Sequence, residues 1–117
     1  MKRLAVYCGS ASPADPRYVD LAAEVGRALA QRGIGVVYGG GRLGLMGALA
    51  SAALEAGGEV IGVIPQALVS SEVANHDCTE LIVVVDMHQR KAAFTRLSDG
   101  FVTLPGGFGV GALAFGP

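Results

Sequence analysis

Charged side chains are scarce in this chain of 117 residues, and neither sign is in excess. They make up 16% of the residues, and nine basic against ten acidic side chains leave a formal net charge of -1. Proteins that bind nucleic acid or an anionic membrane surface carry an extended basic face. The composition therefore argues against both kinds of partner, and any cationic site has to be local.

Cysteine is also scarce, with only Cys8 and Cys78 in the chain. The two lie in unrelated contexts, without metal-ligand spacing and without a framework of pairs, as is usual in a reduced intracellular protein. His76 and His88 have no partner at ligand spacing, so capping or core roles are favoured over metal binding. We expect no metal site and a cytoplasmic protein in which both cysteines are small core residues.

Lysine occurs only twice, and long apolar runs are missing. A pyridoxal enzyme needs a lysine for its Schiff base, but Lys2 is terminal and Lys91 directly follows Arg90. The apolar run at residues 4–8 is shorter than the roughly 7 to 15 residues of a secretion signal. No run reaches the length that spans a membrane. The sequence thus predicts no cofactor, no membrane partner and a cytoplasmic location.

Apolar residues and glycine are abundant, at 51% of the chain and 18 residues respectively. This composition, in a chain of single-domain length, indicates a mostly buried sheet with tight turns. Apolar strands separated by helices predict one α/β domain, residues 1–117, with a Rossmann-like parallel sheet and helices on both faces. Strands are predicted at 4–8, 35–38, 60–64, 81–85 and 101–104, helices at 16–32, 45–56 and 87–97, and a short helix near 68–74.

Two glycine-rich stretches, 39–44 and 104–109, each follow a predicted strand. Glycine lets the backbone approach a ligand closely, and free amides at a helix N-terminus favour an anion. A plain strand-to-helix turn is the alternative for either stretch alone. Because ligands of such sheets bind beyond the carboxyl ends of the strands, two such stretches together indicate a phosphorylated small molecule.

Other phosphate-binding chemistries fit the sequence less well. Residues 39–44 satisfy G-x-G-x-x-G, but a dinucleotide site needs an acidic residue at the end of the next strand. That strand ends in Ile64-Pro65-Gln66, and Glu59 precedes it. No Gly-Lys-Ser/Thr follows the glycines, so a Walker loop is absent. The pair Arg90-Lys91 is predicted to act as a clamp, in which two cations hold an anion or stabilise a transition state. A basic turn exposed to solvent is the alternative.

Several motifs occur in the order and spacing of the LONELY GUY family, which the chain closely resembles from residue 4 to residue 109. Members are cytokinin-activating nucleoside 5'-monophosphate phosphoribohydrolases, many of which carry a misleading lysine decarboxylase label. The motifs are Tyr38-Gly39-Gly40-Gly41, Gly44-Leu45-Met46-Gly47, Val63-Ile64-Pro65, Met87-His88-Gln89-Arg90-Lys91 and Leu104-Pro105-Gly106-Gly107-Phe108-Gly109.

The resemblance implies a homodimer with sites near the subunit interface. It also implies hydrolysis of the N-glycosidic bond of AMP, or of its N6-prenylated forms, to free base and ribose 5-phosphate. By position, Arg90 matches the catalytic arginine with Lys91 beside it, Glu72 matches a substrate-contacting glutamate, and Ser10 lines the pocket. The implied phosphate ligands are the backbone groups of Gly40, Gly41, Gly106, Gly107 and Gly109.

The chain departs from the family pattern after Gly109. The motif continues as Gly-Thr-x-x-Glu, but Val110 stands at the threonine position and Leu113 at the glutamate position. Residues 110–117 carry no charge, and we expect the chain to lack the family's C-terminal strand and helices through truncation or a frame change. Two hypotheses follow: a phosphoribohydrolase whose activity is impaired, or a nucleotide-binding module without turnover.

Overall fold

A computed structural model of the protein describes residues 2–8, 16–70, 73–104 and 114–116. Its elements alternate between strands and helices along the chain, as the sequence predicts. They are β1 Arg3–Cys8, α1 Pro16–Gln31, β2 Gly35–Tyr38, α2 Gly44–Glu55, β3 Val60–Pro65, a 3-10 helix Gln66–Leu68, β4 Glu80–Val84, α3 Met87–Leu97, β5 Gly100–Leu104 and β6 Ala114–Gly116.

The strands form one sheet in the order β4-β3-β2-β1-β5-β6. The first five strands pair in parallel, and β1 lies between β2 and β5. Strand order therefore reverses direction at β1, because β2 to β4 extend to one side of it and β5 lies on the other. The predicted α/β architecture is confirmed, and a reversal of this kind is where ligands bind in such sheets.

Helices cover both faces of the sheet. On one face α1 and α2 pack against each other and over a cluster that includes Tyr38, Leu49 and Val60. On the other face α3 packs over a second cluster that includes Ile61 and Phe94. Because successive side chains of a strand point to opposite faces, the all-apolar strands supply both clusters.

One expectation about the connections of the sheet is wrong. Among the described residues, the helix expected near 68–74 is a short 3-10 helix at Gln66–Leu68, and Ala74 instead forms a bridge with Gly41. The all-apolar strand β4 is a sheet edge, and the side chain of Val83 is 49% exposed. An apolar run looks the same at an edge as at the centre, since neighbours decide its burial.

The C-terminal residues also differ from expectation. The sequence predicts no element within residues 110–117, but β6 pairs antiparallel with β5 through Phe101↔Gly116, Val102↔Phe115 and Thr103↔Ala114. The edge of β5 is therefore paired along three residues, and the backbone groups of an edge strand that would otherwise face solvent gain partners there.

Candidate functional site

The carboxyl ends of β2, β1 and β5 lie along one rim of the sheet, because the three strands are parallel neighbours. Strands in a sheet are about 4.8 Å apart, so the ends of β2 and β5 are separated by roughly 10 Å. A nucleoside monophosphate can span that distance. The glycine turn after β2, residues 39–42, lies on this rim.

The conformation of the glycine turn explains its composition. Gly40 has a φ of 82° and Gly44 a φ of 66°, values in the left-handed region that side chains with a Cβ rarely adopt. Gly40 is buried and its Cβ position would face Ile64 at 3.1 Å. The turn therefore requires glycine both for its backbone angles and for its close packing on β3.

The N-terminus of α2, which follows this turn, differs from that of α3. The N-cap residue of α2 is Leu43, whose side chain accepts no hydrogen bond from the helix. In α3 the carboxylate of Asp86 caps the helix by accepting from the Gln89 amide at 2.7 Å, as predicted. Amides of a first helical turn without a side-chain acceptor favour an anion. The N-terminus of α2 is therefore better suited to bind a phosphate than the N-terminus of α3.

Arg90 reaches from α3 across the sheet to the same rim. Its Nε donates to the carbonyl of Val63 at 3.2 Å and its Nη2 donates to the carbonyl of Gly39 at 3.2 Å. The guanidinium carbon also lies 5.7 Å from the centroid of the Phe94 ring. The cation is thus fixed by the ends of two neighbouring strands, and a guanidinium with five N–H donors keeps others for a ligand.

Aromatic side chains surround Arg90 on the α3 face. Tyr7 meets the ring of Phe94 edge-on with centroids 5.6 Å apart, and it stacks on Phe101 at 5.9 Å. Burial raises the pKa of Tyr7, and the charge of Arg90 offsets part of that rise. The phenol therefore stays neutral near neutral pH and offers a ring and a hydroxyl beside the cation.

A buried polar cluster lies beneath the glycine turn. The Tyr38 hydroxyl donates to the Gly41 carbonyl at 2.6 Å, accepts from the Asn75 side-chain amide at 3.0 Å and lies 3.6 Å from the Cys78 sulfur. Burial, followed by contact with Cys78, raises the pKa of Tyr38 far above its usual value. Sequence reasoning missed this cluster. The available signal was a tyrosine ending a buried strand, because such a hydroxyl needs a partner.

Lys91 follows Arg90 on α3, but its side chain is exposed. It lines a surface cavity of about 460 Å³ whose described wall also includes His88, Ala92, Thr95 and Arg96. The structure thus separates the two cations of the predicted clamp. Arg90 is bonded to the strand ends, while Lys91 faces the cavity.

Five predicted site residues lie outside the described residues: Ser10, Glu72, Gly106, Gly107 and Gly109. For Glu72 the structure describes the next residue in the chain. The Val73 carbonyl accepts from the Arg42 amide at 2.8 Å, so the segment that starts at Val73 lies against the glycine turn. Gly40 and Gly41 are in the turn itself, and Arg90 bonds to its first residue.

Glu59 lies at the opposite end of the sheet, which agrees with the argument against a dinucleotide site. Its carboxylate pairs with the Arg3 guanidinium at 2.8 Å, and this ion pair lowers the pKa of Glu59. At the same end the Asp99 carboxylate accepts from the amides of Lys2 and Arg3. These contacts stabilise the amino ends of the strands and leave Glu59 far from a ribose at the glycine turn.

The arrangement combines the N-terminus of α2, which the Leu43 side chain does not cap, with the fixed Arg90 guanidinium at the point where strand order reverses. Backbone amides there can hold a phosphate, and a guanidinium can orient or stabilise charge on the attached sugar. Among the described residues, no group of three or more His, Cys, Asp or Glu side chains could hold a metal ion. The described helices also include none long and apolar enough to cross a membrane.

Fold and site together define an α/β protein with a Rossmann-like sheet and a glycine turn at its carboxyl rim. The family model described as "Possible lysine decarboxylase" matches residues 46–111, more than half of the chain. The chain belongs to this family, and its resemblance to LONELY GUY proteins is confirmed.

Curated relatives carry phosphoribohydrolase names. The chain is 50% identical over 109 residues to the cytokinin riboside 5'-monophosphate phosphoribohydrolase of Rhodococcoides fascians, covering 92% of this chain and 55% of that protein. It is 47% identical over 108 residues to the enzyme named LOG of Oryza sativa subsp. japonica, covering 92% and 45%. The chain thus spans about half the length of these relatives.

A solved structure with the same fold belongs to a protein that is named for a different role. The molybdenum cofactor carrier protein of Chlamydomonas reinhardtii is 27% identical, with a TM-score of 0.74 over 92% of this chain and 65% of that one. The fold therefore occurs both in proteins named as hydrolases and in a protein named as a carrier.

Proposed function

We propose that the chain binds a nucleoside 5'-monophosphate at the carboxyl rim, and that its site serves hydrolysis of the N-glycosidic bond. The substrate is AMP or an N6-prenylated AMP, and the products are the free base and ribose 5-phosphate. The observation that carries the proposal is the Arg90 guanidinium, held on the carbonyls of Val63 and Gly39 beside the start of α2. The names of the relatives, at about half identity, support the same reaction.

In this proposal the phosphate is bound by backbone amides. Gly40 and Gly41 contribute the turn after β2, and Gly106, Gly107 and Gly109 contribute the second glycine stretch. The open N-terminus of α2 adds partial positive charge toward the anion. Ser10 lines the pocket, and Lys91, whose exposed side chain faces the neighbouring surface cavity, adds positive charge to this side of the site without bonding to the strand ends.

The chemistry then occurs at the sugar carbon that carries the base. A water oxygen forms a bond to that carbon while the carbon–nitrogen bond to the base breaks, and the proton of the water passes to the departing base. The transition state has oxocarbenium character, which a carboxylate stabilises, and Glu72 supplies it here. Arg90 orients the ribose phosphate relative to that carboxylate.

One observation favours a second candidate, a binding module without turnover. Leu113 stands where the family motif has the glutamate that works with the arginine. A chain with the phosphate site and without this carboxylate would bind nucleotide and release it unchanged. The carrier named among the structural relatives is an example of the fold with a bound group as cargo.

Calorimetry with AMP and adenosine, together with chromatographic detection of adenine, tests the proposal. We expect AMP to bind at least about tenfold more tightly than adenosine, because the phosphate adds charge-assisted hydrogen bonds. We also expect slow adenine release that increases in Leu113→Glu. AMP binding without adenine from either protein would establish the second candidate. Equal affinity for AMP and adenosine would refute the phosphate site.

A homodimer and a cytoplasmic location belong to the same proposal. The exposed edge supports the dimer, because Val83 on β4 and the following Val85 and Met87 are 49%, 63% and 67% exposed, and a second copy can cover these apolar side chains. Sedimentation velocity should show a dimer at micromolar protein, and Val85→Asp should shift it toward monomer. A monomer at all accessible concentrations would contradict the dimer.

The cytoplasmic location is tested separately by cell fractionation. Recovery of the protein with the membrane pellet or in the culture medium would contradict it.

A further inference from the structure

The Tyr38 hydroxyl contacts both the glycine turn and the segment 73–78. It donates to the Gly41 carbonyl at 2.6 Å and accepts from Asn75 Nδ2 at 3.0 Å. Tyr38 is 0% exposed and Asn75 is 5% exposed, so water does not replace either bond. A hydrogen bond between two buried polar groups is costly to break, so this bond holds β2 and the segment 73–78 in a fixed relative position.

Backbone contacts continue the connection. The Asn75 amide donates to the Gly40 carbonyl at 2.8 Å, and the Arg42 amide donates to the Val73 carbonyl at 2.8 Å. Asn75 Oδ1 in turn accepts from the Asp77 amide at 3.0 Å, which fixes the Asn75 side chain. The glycine turn is thus held from below by the Tyr38 hydroxyl and from the side by the segment 73–78.

These bonds decide where an amide of the glycine turn points. A peptide unit is planar, with its carbonyl and its N–H directed to opposite sides. Since the Gly40 carbonyl points at Asn75, the Gly41 N–H points away from that segment. The same Gly41 amide is one of the proposed phosphate donors, and it has no Cβ of its own to restrict its rotation.

We propose that the Tyr38 hydroxyl, together with Asn75, is a positioning group that fixes the Gly41 amide for the phosphate of the nucleotide. This inference rests on the proposed function for its ligand and on the hydrogen bonds above for its geometry. Tyr38 touches no substrate in this role. It acts through the peptide units whose carbonyls belong to Gly40 and Gly41, which Asn75 and Tyr38 hold by hydrogen bonds. Loss of the hydroxyl should therefore weaken binding of the phosphate and leave the affinity for the nucleoside unchanged.

The variants Tyr38→Phe and Asn75→Ala test the proposal, with Ile61→Val as the matched control. Ile61 is buried at 1% exposure in the cluster on the other face of the sheet, so its variant removes core packing without touching the glycine turn. The first readout is amide hydrogen exchange in the free protein. We expect the Arg42 and Asn75 amides to exchange about tenfold faster in Tyr38→Phe and unchanged in Ile61→Val.

The second readout is the ratio of AMP affinity to adenosine affinity. We expect this ratio to fall about tenfold in Tyr38→Phe, which breaks the bonds of the hydroxyl to Gly41 and to Asn75, and to fall less in Asn75→Ala, which leaves the bond to Gly41 in place. The double variant should fall no further than Tyr38→Phe, because that change already breaks the bond between the two side chains. A role in general stability would lower neither ratio. Asn75→Ala removes the donor of the Asn75–Tyr38 bond and leaves Tyr38 unchanged. If Tyr38→Phe does not fold, this variant still tests whether the contact positions the Gly41 amide.

Unchanged exchange at Arg42 and Asn75 in Tyr38→Phe would overturn the inference. So would faster exchange with an unchanged AMP-to-adenosine ratio. If the unaltered protein bound AMP no better than adenosine, the proposed function would fail, and the role of Tyr38 toward phosphate would fail with it. Exchange at the two amides would still show whether the hydroxyl holds the turn, so the two failures are distinguishable.

Discussion

Arg90→Ala should reduce adenine release to the level of buffer, a loss of about a hundredfold or more. The guanidinium is the cation that the structure fixes at the rim, by bonds to the carbonyls of Val63 and Gly39. Removing it takes away the cation that is proposed to orient the ribose phosphate. AMP affinity should fall about tenfold or more as well, because hydrogen bonds to a charged group are lost.

Arg90→Lys separates charge from geometry. Lysine keeps the positive charge but cannot bond two carbonyls with a planar fork, so the cation is no longer held between β2 and β3. We expect AMP affinity to recover in part while adenine release stays low. Arg27→Ala, an exposed arginine on α1, serves as the control for the loss of one positive charge. Full turnover in Arg90→Ala would remove Arg90 from the mechanism.

Local signals in the sequence account for the elements that were predicted well. The strand at 35–38 and the helix at 87–97 have the predicted bounds. The first lies between turn glycines, and the second begins at the Asp86 cap, which binds the Gln89 amide. Both boundaries depend on neighbours in the chain, and such signals are visible without the fold.

The segment after β3 could not be predicted in the same way. Its conformation depends on bonds to residues more than 30 positions away, such as Asn75 to Gly40 and Asn75 to Tyr38. No periodicity records such contacts, and the local pattern near 68–74 suggested a helix instead. The exposed β4 has the same cause, since strand order decides which apolar run becomes an edge.

The candidate site was predictable in its position and not in its internal contacts. Parallel strands bring their carboxyl ends to one rim, so the glycine turn and Arg90 were expected to be near each other. That Arg90 bonds to Val63 of β3 and to Gly39, directly after β2, follows only from where α3 packs on the sheet. Hydrogen bonds from a side chain to a distant carbonyl carry no signature in the residue types.

The Arg90 guanidinium fills the space beside Gly39. A Cβ at position 39 would lie 2.5 Å from Arg90 Nη2, closer than nonbonded atoms approach. The backbone of Gly39 does not have a positive φ, so alanine fits the local conformation. In Gly39→Ala the guanidinium must therefore leave the Gly39 carbonyl, while the strand itself stays intact.

Gly39→Ala should lower adenine release almost as far as Arg90→Ala, with a small change in the free energy of unfolding, about 1 kcal/mol from the lost hydrogen bond. Urea denaturation and AMP turnover measured on the same samples check both parts. The two changes should not add, because each removes the same cation from the same place. In the Arg90→Ala background, Gly39→Ala should therefore cost little further activity or affinity. An additive loss in the double variant would show that Gly39 contributes through its own backbone and not by leaving room for Arg90.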